Sequence, residues 1–501
     1  MQPKFLSTLI VLALFGATSP TPANGQYKLI DLGTFGGPAS YLTDPGNGRS
    51  ILVLNNQGMV AGRASTSTPD PGAPNACSDS DCFLSHAFRW SDGVLTDLGT
   101  LPGGNFSQAS GINARGWVVV GGANGEIDPL TGSPVFRGAL WKDGQLIDLG
   151  TLDGGLEVNA VYVNNGGQVV GFASVGTNPD PSGFSFLIAP IHPFIWKDGV
   201  MRDLGTFGGA DALPAPNCNN QRENLVTGVF FGSAPDPNTG MYPVSAFLWD
   251  NGKAINIGTL GGTELFELLC ANNAGQVAGG STLAGDLIMH AFLWDKGSMH
   301  DLGTLGGTFS IASWLNDAGE VVGGATTPDD ASFHATLWRH GQIVDLGTLD
   351  GDCASFALAN NAQGQILGES YSCDGTGQRT FLWDKGVIID LNTVIPPGSN
   401  LQLAWATNIN DRGEIVGRGL PPGCFEDDQS RTCGHAFLLV PCEAAGAEGC
   451  QGNADAAAGI NSATAKTNMA TASPDPQRTK EFVDRLRARL AQRFPKRAGG
   501  K

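Results

Sequence analysis

The sequence predicts an all-β protein, an eight-bladed β-propeller built from four-stranded blades. A near-copy of Asp-Leu-Gly-Thr recurs eight times, and successive copies begin 66, 51, 55, 53, 45, 44 and 45 residues apart. A period in the forties that carries short strand-like runs is typical of propeller blades. The copies begin at Asp31, Asp97, Asp148, Asp203, Asn256, Asp301, Asp345 and Asp390.

Each repeat has the content of four strands, as the repeat at 308–348 shows. Its apolar runs are 310–316, 320–324, 334–338 and 342–347. The first two runs are separated by Asn316-Asp-Ala-Gly319, and Asn first with Gly fourth favours a tight hairpin. The third run ends in a tryptophan that we expect in the core of each blade: Trp90, Trp141, Trp196, Trp249, Trp294, Trp338 and Trp383.

The two ends of the repeat array complement each other. The last repeat has three runs, near 405–409, 414–417 and 435–440, and lacks a fourth. The first repeated element, Tyr27–Thr34, is a fourth run with no repeat before it. Pairing it into the last blade would close a ring over residues 26–440 and remove both open sheet edges. An open solenoid is the alternative architecture.

The repeated phrases resemble the bacterial extracellular repeats of the HAF family. The tripeptide that names the family occurs as His86-Ala87-Phe88, at 290–292 and at 435–437, beside Asp-Leu-Gly-Thr-Leu-Gly-Gly and Val-Val-Gly phrases. The resemblance covers about residues 27–440. It implies export and a repeat fold, and it supplies no catalytic residues.

Residues 1–25 are predicted to be a signal peptide, so the mature chain should begin near Gln26 and be secreted, extracellular or periplasmic. Lys4 precedes the short apolar run 5–15, and Ala23 and Gly25 are small residues at the cleavage site. No later run is apolar enough for a membrane helix. The net charge of −18 argues against nucleic acid as a partner of the propeller.

Ten cysteines lie beyond the signal, and an even number in an exported chain favours disulfides. Their clustering suggests sequential pairs, although spacing alone does not fix the connectivity. The suggested pairs are Cys77–Cys82, Cys218–Cys270, Cys353–Cys373, Cys424–Cys433 and Cys442–Cys450. Metal or redox use of these thiols is a lesser alternative, because the chain has no Cys-x-x-Cys.

The C-terminal region separates into two segments. Residues 441–477 hold two cysteines and then a low-complexity run, which predicts a flexible linker. Residues 478–501 carry nine Lys or Arg against two acids, and Phe482, Leu486 and Leu490 recur every four residues. This pattern predicts a basic amphipathic helix. It could contact an anionic surface such as a membrane, a wall polymer or the acidic propeller, or have no dedicated partner.

The variable loops between second and third strands are the predicted binding region, because variable loops on a rigid scaffold commonly carry function. The longest are 65–84, 174–191 and 420–434. Aspartates beside prolines make candidate ligand contacts there, and their oxygens suggest Ca²⁺ as a possible cofactor. The alternative is ordinary turn chemistry. The candidates are Asp70, Asp128, Asp180, Asp236 and Asp329.

Two other repeated side chains are predicted to be structural. His86, His192, His290, His334 and His435 occupy one position of the third run and should bond to a neighbouring loop, not a metal. The aspartate of each Asp-Leu-Gly-Thr should accept backbone N–H groups at a strand end.

We therefore expect non-catalytic binding of an extracellular ligand, a glycan or a surface protein, by a monomeric protein. No catalytic residue is singled out. A hydrolase or lyase with an axial active site, and a structural surface or matrix protein, are the alternatives.

Overall fold

A computed structural model gives the fold of this chain as all-β. It describes residues 27–42, 52–73, 77, 79–129, 132–176, 189–215, 218, 220–234, 242–373, 377–425, 432–442 and 450. The predicted signal peptide, most of the linker, and the basic segment 478–501 lie outside these residues. The two short 3-10 turns are Pro328–Asp330 and Leu391–Thr393.

The 32 strands fall into four ranks that repeat in order along the chain. The first strands are β2 (Gly36–Tyr41), β6 (Ser107–Ile112), β10 (Val158–Val163), β14 (Asp211–Pro214), β18 (Gly261–Ala271), β22 (Ser310–Leu315), β26 (Asp352–Asn360) and β30 (Gln402–Ile409). The second strands are β3 (Val60–Pro69), β7 (Val118–Ile127), β11 (Val169–Ser174), β15 (Leu225–Phe231), β19 (Val277–Leu283), β23 (Val321–Thr326), β27 (Ile366–Ser372) and β31 (Ile415–Leu420).

Seven third strands end one residue after the repeated tryptophan, and the fourth strands carry the repeated aspartate or, in unit 4, Asn256. The third strands are β4 (Phe83–Ser91), β8 (Pro134–Lys142), β12 (Ile191–Lys197), β16 (Val244–Asp250), β20 (Met289–Asp295), β24 (Phe333–Arg339), β28 (Gln378–Asp384) and β32 (His435–Pro441). The fourth strands are β5 (Val94–Asp97), β9 (Gln145–Asp148), β13 (Val200–Asp203), β17 (Lys253–Asn256), β21 (Ser298–Gly303), β25 (Gln342–Gly347), β29 (Val387–Asp390) and β1 (Tyr27–Asp31).

The strands form six four-stranded antiparallel sheets and one eight-stranded sheet. The larger sheet joins β22–β25 to β26–β29 through one parallel bridge, Phe333 to Ala354. We number the four-strand groups as units 1 to 8, from β2–β5 to β30–β32. The N-terminal strand β1 belongs to unit 8, where it pairs with β32 from Tyr27 opposite Pro441 to Asp31 opposite Phe437.

Strand direction gives every unit two ends. In an antiparallel sheet, the second-to-third and fourth-to-first connections leave the same end. We call this end the loop face, and the opposite end, with the first-to-second and third-to-fourth turns, the hairpin face. Fourth strands form the outer edge of each unit, with side chains such as Val94 and Val200 exposed.

Glycines on second strands make room for phenylalanines on third strands, and this pairing packs each sheet. A Cβ on Gly62 would lie 2.7 Å from Phe88 Cζ, and one on Gly368 would lie 2.3 Å from Phe381 Cζ. Both rings are fully buried. In unit 6 the glycine–phenylalanine pair lies at a different position along the strands and consists of Gly324 and Phe333. The repeated tryptophans are buried as predicted, at most 8% exposed.

The first-to-second hairpins are joined to one another by their asparagine side chains. The Oδ1 of Asn55 accepts N–H groups of its own turn, and its Nδ2 donates to the carbonyl of Asn113 in unit 2. The same bond to the next unit recurs from Asn113, Asn272, Asn316 and Asn361, and from Asn410 of unit 8 to Asn55 of unit 1. Unit 4, whose turn reads Asn220-Gln-Arg-Glu223, departs: Asn220 bonds within its own unit.

Five disulfides join the sequential pairs suggested by cysteine spacing: Cys77–Cys82, Cys218–Cys270, Cys353–Cys373, Cys424–Cys433 and Cys442–Cys450. Disulfides form and persist in oxidising compartments, so the chain has the chemistry of a non-cytoplasmic protein. In the part of the chain that the structure describes, no helix is long and apolar enough to cross a membrane.

Candidate functional site

The loop face is held together by pairs of a third-strand histidine or arginine and a fourth-strand aspartate. His86 Nδ1 lies 2.9 Å from Asp97, and His435 Nδ1 lies 3.0 Å from Asp31. His192, His290 and His334 make the same contact with Asp203, Asp301 and Asp345. The prediction that these histidines are structural is supported, but their partner is the strand-end carboxylate and not a loop.

The repeated aspartates also accept backbone N–H groups, as predicted. Asp97 Oδ1 accepts from Gly99 N at 2.7 Å, and Asp345 Oδ1 accepts from Gly347 N at 2.8 Å. Burial alone would raise the pKa of these two carboxyls, but the histidine and N–H hydrogen bonds outweigh it and the pKa of each is lowered. The pKa of Asp31 is lowered by the same balance. These groups stay ionised as part of the scaffold.

A serine on several of the first strands links neighbouring units on this face. Ser107 Oγ accepts from Ala87 N at 2.9 Å and donates to Gly99 O at 2.6 Å. Ser310, Ser355 and Ser40 accept the corresponding N–H from the preceding unit. In unit 3 the residue at the donor position is Pro193, which has no N–H to give. The contact is made instead by Ile191 N, which donates to Asp211 at 2.7 Å.

Unit 2 also departs from the serine contact, and two carboxyl groups are buried there, those of Glu157 and Asp128. Glu157 accepts from Phe136 N at 2.7 Å and is 7% exposed. Burial raises the pKa of Glu157, and the charge of Asp128 adds to the rise. Asp128 is itself only 3% exposed.

The five candidate aspartates do not share one environment. Asp70 is buried and its Oδ1 accepts from Gly72 N at 2.8 Å, so it stabilises its own turn. Asp128 is buried as described above. Asp329 is exposed, whereas the neighbouring Asp330 bonds Thr308 N and Oγ1. Asp180 and Asp236 lie outside the described residues. A ligand role for these aspartates stays a prediction, and Asp329 is the described one that faces solvent.

Where units 8, 1 and 2 meet, a buried charged cluster supports the loop face. Two guanidinium groups lie against the aromatic ring of Tyr41. Arg63 Cζ is 4.7 Å and Arg418 Cζ is 4.3 Å from the centroid of that ring. Arg63 also pairs with Asp79 at 2.7 Å. Asp81 bonds Ser65. Burial raises the pKa of Asp81, and the charge of Asp79 adds to the rise.

This cluster carries the loop that contains Cys77–Cys82, and the loop of unit 8 lies beside it. Ser40 N donates to Gly434 O, next to Cys433. Arg418 Nη1 donates to Ser40 O at 2.8 Å. Two disulfide-bonded loops are thus fixed over one buried network. The sequence analysis missed the network because its members are up to 378 residues apart and share no spacing.

Exposed apolar side chains mark the tips of loop-face connections. Leu287, between β19 and β20, is 94% exposed, and Phe425, beside the Cys424–Cys433 disulfide, is 88% exposed. The next most exposed large apolar side chains described are Val200 at 68% and Val94 at 61%, both on outer strands. The sequence could have indicated Leu287 and Phe425 as apolar residues inside otherwise polar loops.

The connection between β29 and β30 forms a shallow pocket on this face. The pocket has a volume of about 350 Å³ and is lined by residues of 392–402. Within the described ranges, no three His, Cys, Asp or Glu side chains gather closely enough to hold a metal ion. A calcium role for the candidate aspartates stays a prediction.

Similarity to solved structures is a similarity of propeller-like folds. The β-propeller domain of the trilobed protease from Pyrococcus furiosus matches at 8% identity over 67% of this chain and 94% of that domain, with a TM-score of 0.38. Dipeptidyl peptidase 4 from Porphyromonas gingivalis matches at 9% identity over 72% of this chain and 56% of that chain, with a TM-score of 0.46. A post-proline cleaving enzyme from Rickettsia typhi matches at 12% identity over 76% and 58%, with a TM-score of 0.43.

These likenesses give no basis for an activity. The chain spans about half the length of the first peptidases that it matches, 49% of one and 56% of the other. No family model and no curated protein matches the sequence.

Proposed function

We propose that this chain is an exported, closed eight-bladed β-propeller of HAF-type repeats, which binds an extracellular glycan or surface protein without catalysis through its loop face. Each unit would be one blade. Closure is supported by β1 in the sheet of unit 8 and by the bond from Asn410 of unit 8 to Asn55 of unit 1. Export is supported by the five disulfides and by the predicted signal peptide.

The observation that carries the binding function is the exposure of Leu287 and Phe425 at loop tips. Burying such a side chain against a ligand contributes about 1.5–3 kcal/mol, whereas leaving it in water contributes nothing. The connection that holds Phe425 is closed by a disulfide, which lowers the entropy lost when a ligand orders the loop. The scaffold beneath is cross-linked by the histidine–aspartate pairs and by serine bonds between units, and loops on such a scaffold commonly carry binding sites.

The test is thermal melting of residues 26–501 with a panel of polysaccharides, cell-wall fragments and surface-protein extracts, followed by titration of any hit. A ligand at a hundred times its dissociation constant adds about 2.7 kcal/mol of stability. The double variant Leu287→Ser with Phe425→Ser should weaken the hit by about tenfold or more, from lost apolar burial.

The matched control replaces two exposed apolar side chains of the outer strands, Val94→Ser with Val200→Ser, and should leave affinity unchanged. Equal loss in both variants would move the site away from the loop face. A panel with no hit would contradict glycan binding.

A further inference from the structure

The loop face of units 5 and 6, with the connection to unit 7, carries a group of exposed acidic side chains, which we call the acidic patch. Residues 242–373, which contain them, are described except for the side chains of 266–268. Leu287, the most exposed apolar side chain of the described chain, lies on the same face as these exposed carboxylates. They are Asp286, Asp301, Asp329, Asp345 and Asp350.

No exposed Lys or Arg side chain that the structure describes on the loop face offsets this charge, although Asp301 and Asp345 each contact a histidine, His290 and His334. Among the described residues, the arginines of that face are half-buried or buried and already engaged. Arg137 pairs with Asp148, and Arg379 pairs with both Asp352 and Asp390. Arg63 and Arg418 belong to the buried cluster around Tyr41. The exposed Lys and Arg side chains that the structure describes lie toward the hairpin face, among them Arg115, Lys296, Arg339, Lys385 and Arg412.

The hairpin face exposes both acidic and basic side chains, whereas the acidic patch of the loop face exposes only acidic ones. Its third-to-fourth turns carry acids in units 1 and 3, Asp92 and Asp198, and bases in units 5 and 7, Lys296 and Lys385. A one-signed surface of this kind attracts an oppositely charged segment, and the attraction is strong only where no mixed charge screens it. The acidic patch, with Leu287 exposed on the same face, therefore fits a partner that is basic on one side and apolar on the other.

One segment of this same chain has that chemistry. Residues 478–501 carry nine Lys or Arg against Glu481 and Asp484, a net of +7. Phe482, Leu486 and Leu490 would share one face of a helix, since residues four apart are neighbours. That apolar stripe can cover Leu287 while the arginines around it meet the carboxylates.

The tether between the two is long enough. Cys450, the last described residue, is held by its disulfide to Cys442, which directly follows β32. A flexible tether of the length of 450–478 spans roughly 30 Å on average. A compact domain of the size of residues 26–440 has a radius of gyration of roughly 22 Å. The segment can therefore reach either face, and a tether of this kind gives an effective concentration on the order of millimolar.

We propose that the C-terminal segment 478–501 docks on the acidic patch of its own propeller and covers part of the loop face. The proposal rests on the loop face being the binding face and names the occupant it holds when no external ligand is present. An external ligand would then compete with the segment, so the contact is autoinhibitory.

The experiment is zero-length carbodiimide cross-linking of the full chain 26–501 at low ionic strength, with cross-linked peptides mapped by mass spectrometry. The reagent joins lysine amines to carboxylates in contact, so Lys480, Lys496 and Lys501 report where the segment lies. Intramolecular links to Asp286, Asp329 or Asp350 are expected, independent of protein dilution. Their yield should fall at least roughly fivefold in 1 M salt, where the screening length shrinks to about 3 Å.

Two matched variants locate the contact. Asp329→Asn with Asp350→Asn removes two exposed charges of the acidic patch and should lower the yield roughly fivefold, as expected for two surface ion pairs. Asp92→Asn with Asp198→Asn removes two exposed charges of the hairpin face and should leave it unchanged. Links to the hairpin face, links only between molecules, or no tail links at all would each overturn the docking. Because no external ligand is used, these outcomes leave the panel result for the loop face unaffected.

Discussion

At the scale of single residues, the two partners of the loop-face pair change together. Seven units pair a repeated aspartate with histidine or arginine, as in His86 with Asp97 and Arg137 with Asp148. Unit 4 has Ser245 in place of the histidine or arginine and Asn256 in place of the aspartate. Asn256 still accepts from Gly258 N at 2.9 Å. The backbone bond therefore needs only an oxygen, and the carboxylate is replaced in the one unit whose third strand has no histidine or arginine at this position.

The pH dependence of stability follows from these aspartates. Their folded pKa values lie below the ordinary 3.8, so they stabilise the fold above that pH and lose the contribution as pH falls through the folded pKa. The double variant Asp97→Asn with Asp345→Asn should cost about 1 kcal/mol at pH 7. Urea unfolding at pH 7 and at pH 2 measures this, and the difference should shrink as the pH falls.

The control for this experiment is Asp92→Asn with Asp198→Asn, in turns where both residues have φ near +50° and asparagine is tolerated. It should show no pH-dependent difference. A deficit of Asp97→Asn with Asp345→Asn that persists at pH 2 would mean that the variants act through packing and not through charge.

At the scale of elements, the glycine–phenylalanine pair sets how closely second and third strands are packed. A Cβ at Gly368 would also lie 2.5 Å from Phe356 O. Gly368→Ala should therefore destabilise the protein by about 3 kcal/mol, a typical cost of overpacking. The midpoint of urea unfolding measures the loss.

Rescue distinguishes overpacking from a backbone effect. Phe381→Leu shortens the side chain that the new methyl group meets, so the double variant should be more stable than the sum of the two single losses predicts. Strict additivity of the two losses would refute the steric account.

Elements were predictable from the sequence because each is defined by local chemistry that recurs. The four runs of 308–348 became β22, β23, β24 and β25, with ends shifted by at most two residues. Tight-turn residues and the terminal tryptophans determine those limits. The candidate binding surface was less predictable, since Leu287 and Phe425 belong to loops that do not recur, and Asp330 and not Asp329 makes the loop contact. The Tyr41 cluster combines units that only the tertiary fold brings together.

At the scale of the whole molecule, the contact between β1 and β32 is the one pairing within a unit that no short connection supports. His435 and Asp31 make the pair that His86 and Asp97 make, but β4 and β5 are joined by a turn at 92–93, whereas 404 residues separate the other two. His435→Ala should therefore increase amide hydrogen exchange in 29–31 by about tenfold, through local opening.

His86→Ala is the matched control, and exchange in β5 should change much less because the turn holds that strand in place. Equal effects in the two strands would show that the covalent turn adds nothing to the pairing, and no effect of His435→Ala would show that the ladder alone holds β1.

The position of β1 also determines when the fold can be completed during synthesis. Its partner strand β32 leaves the ribosome after 400 further residues, so the first strand made is the last to be paired. Closing a loop of that length costs about 5 kcal/mol in chain entropy, and only formed intermediate units can shorten it. Until then β1 and the outer edge of β32 are both unpaired strands open to other chains. Premature termination anywhere before residue 435 would leave β1 permanently without a partner, which makes incomplete chains easy for proteases to recognise.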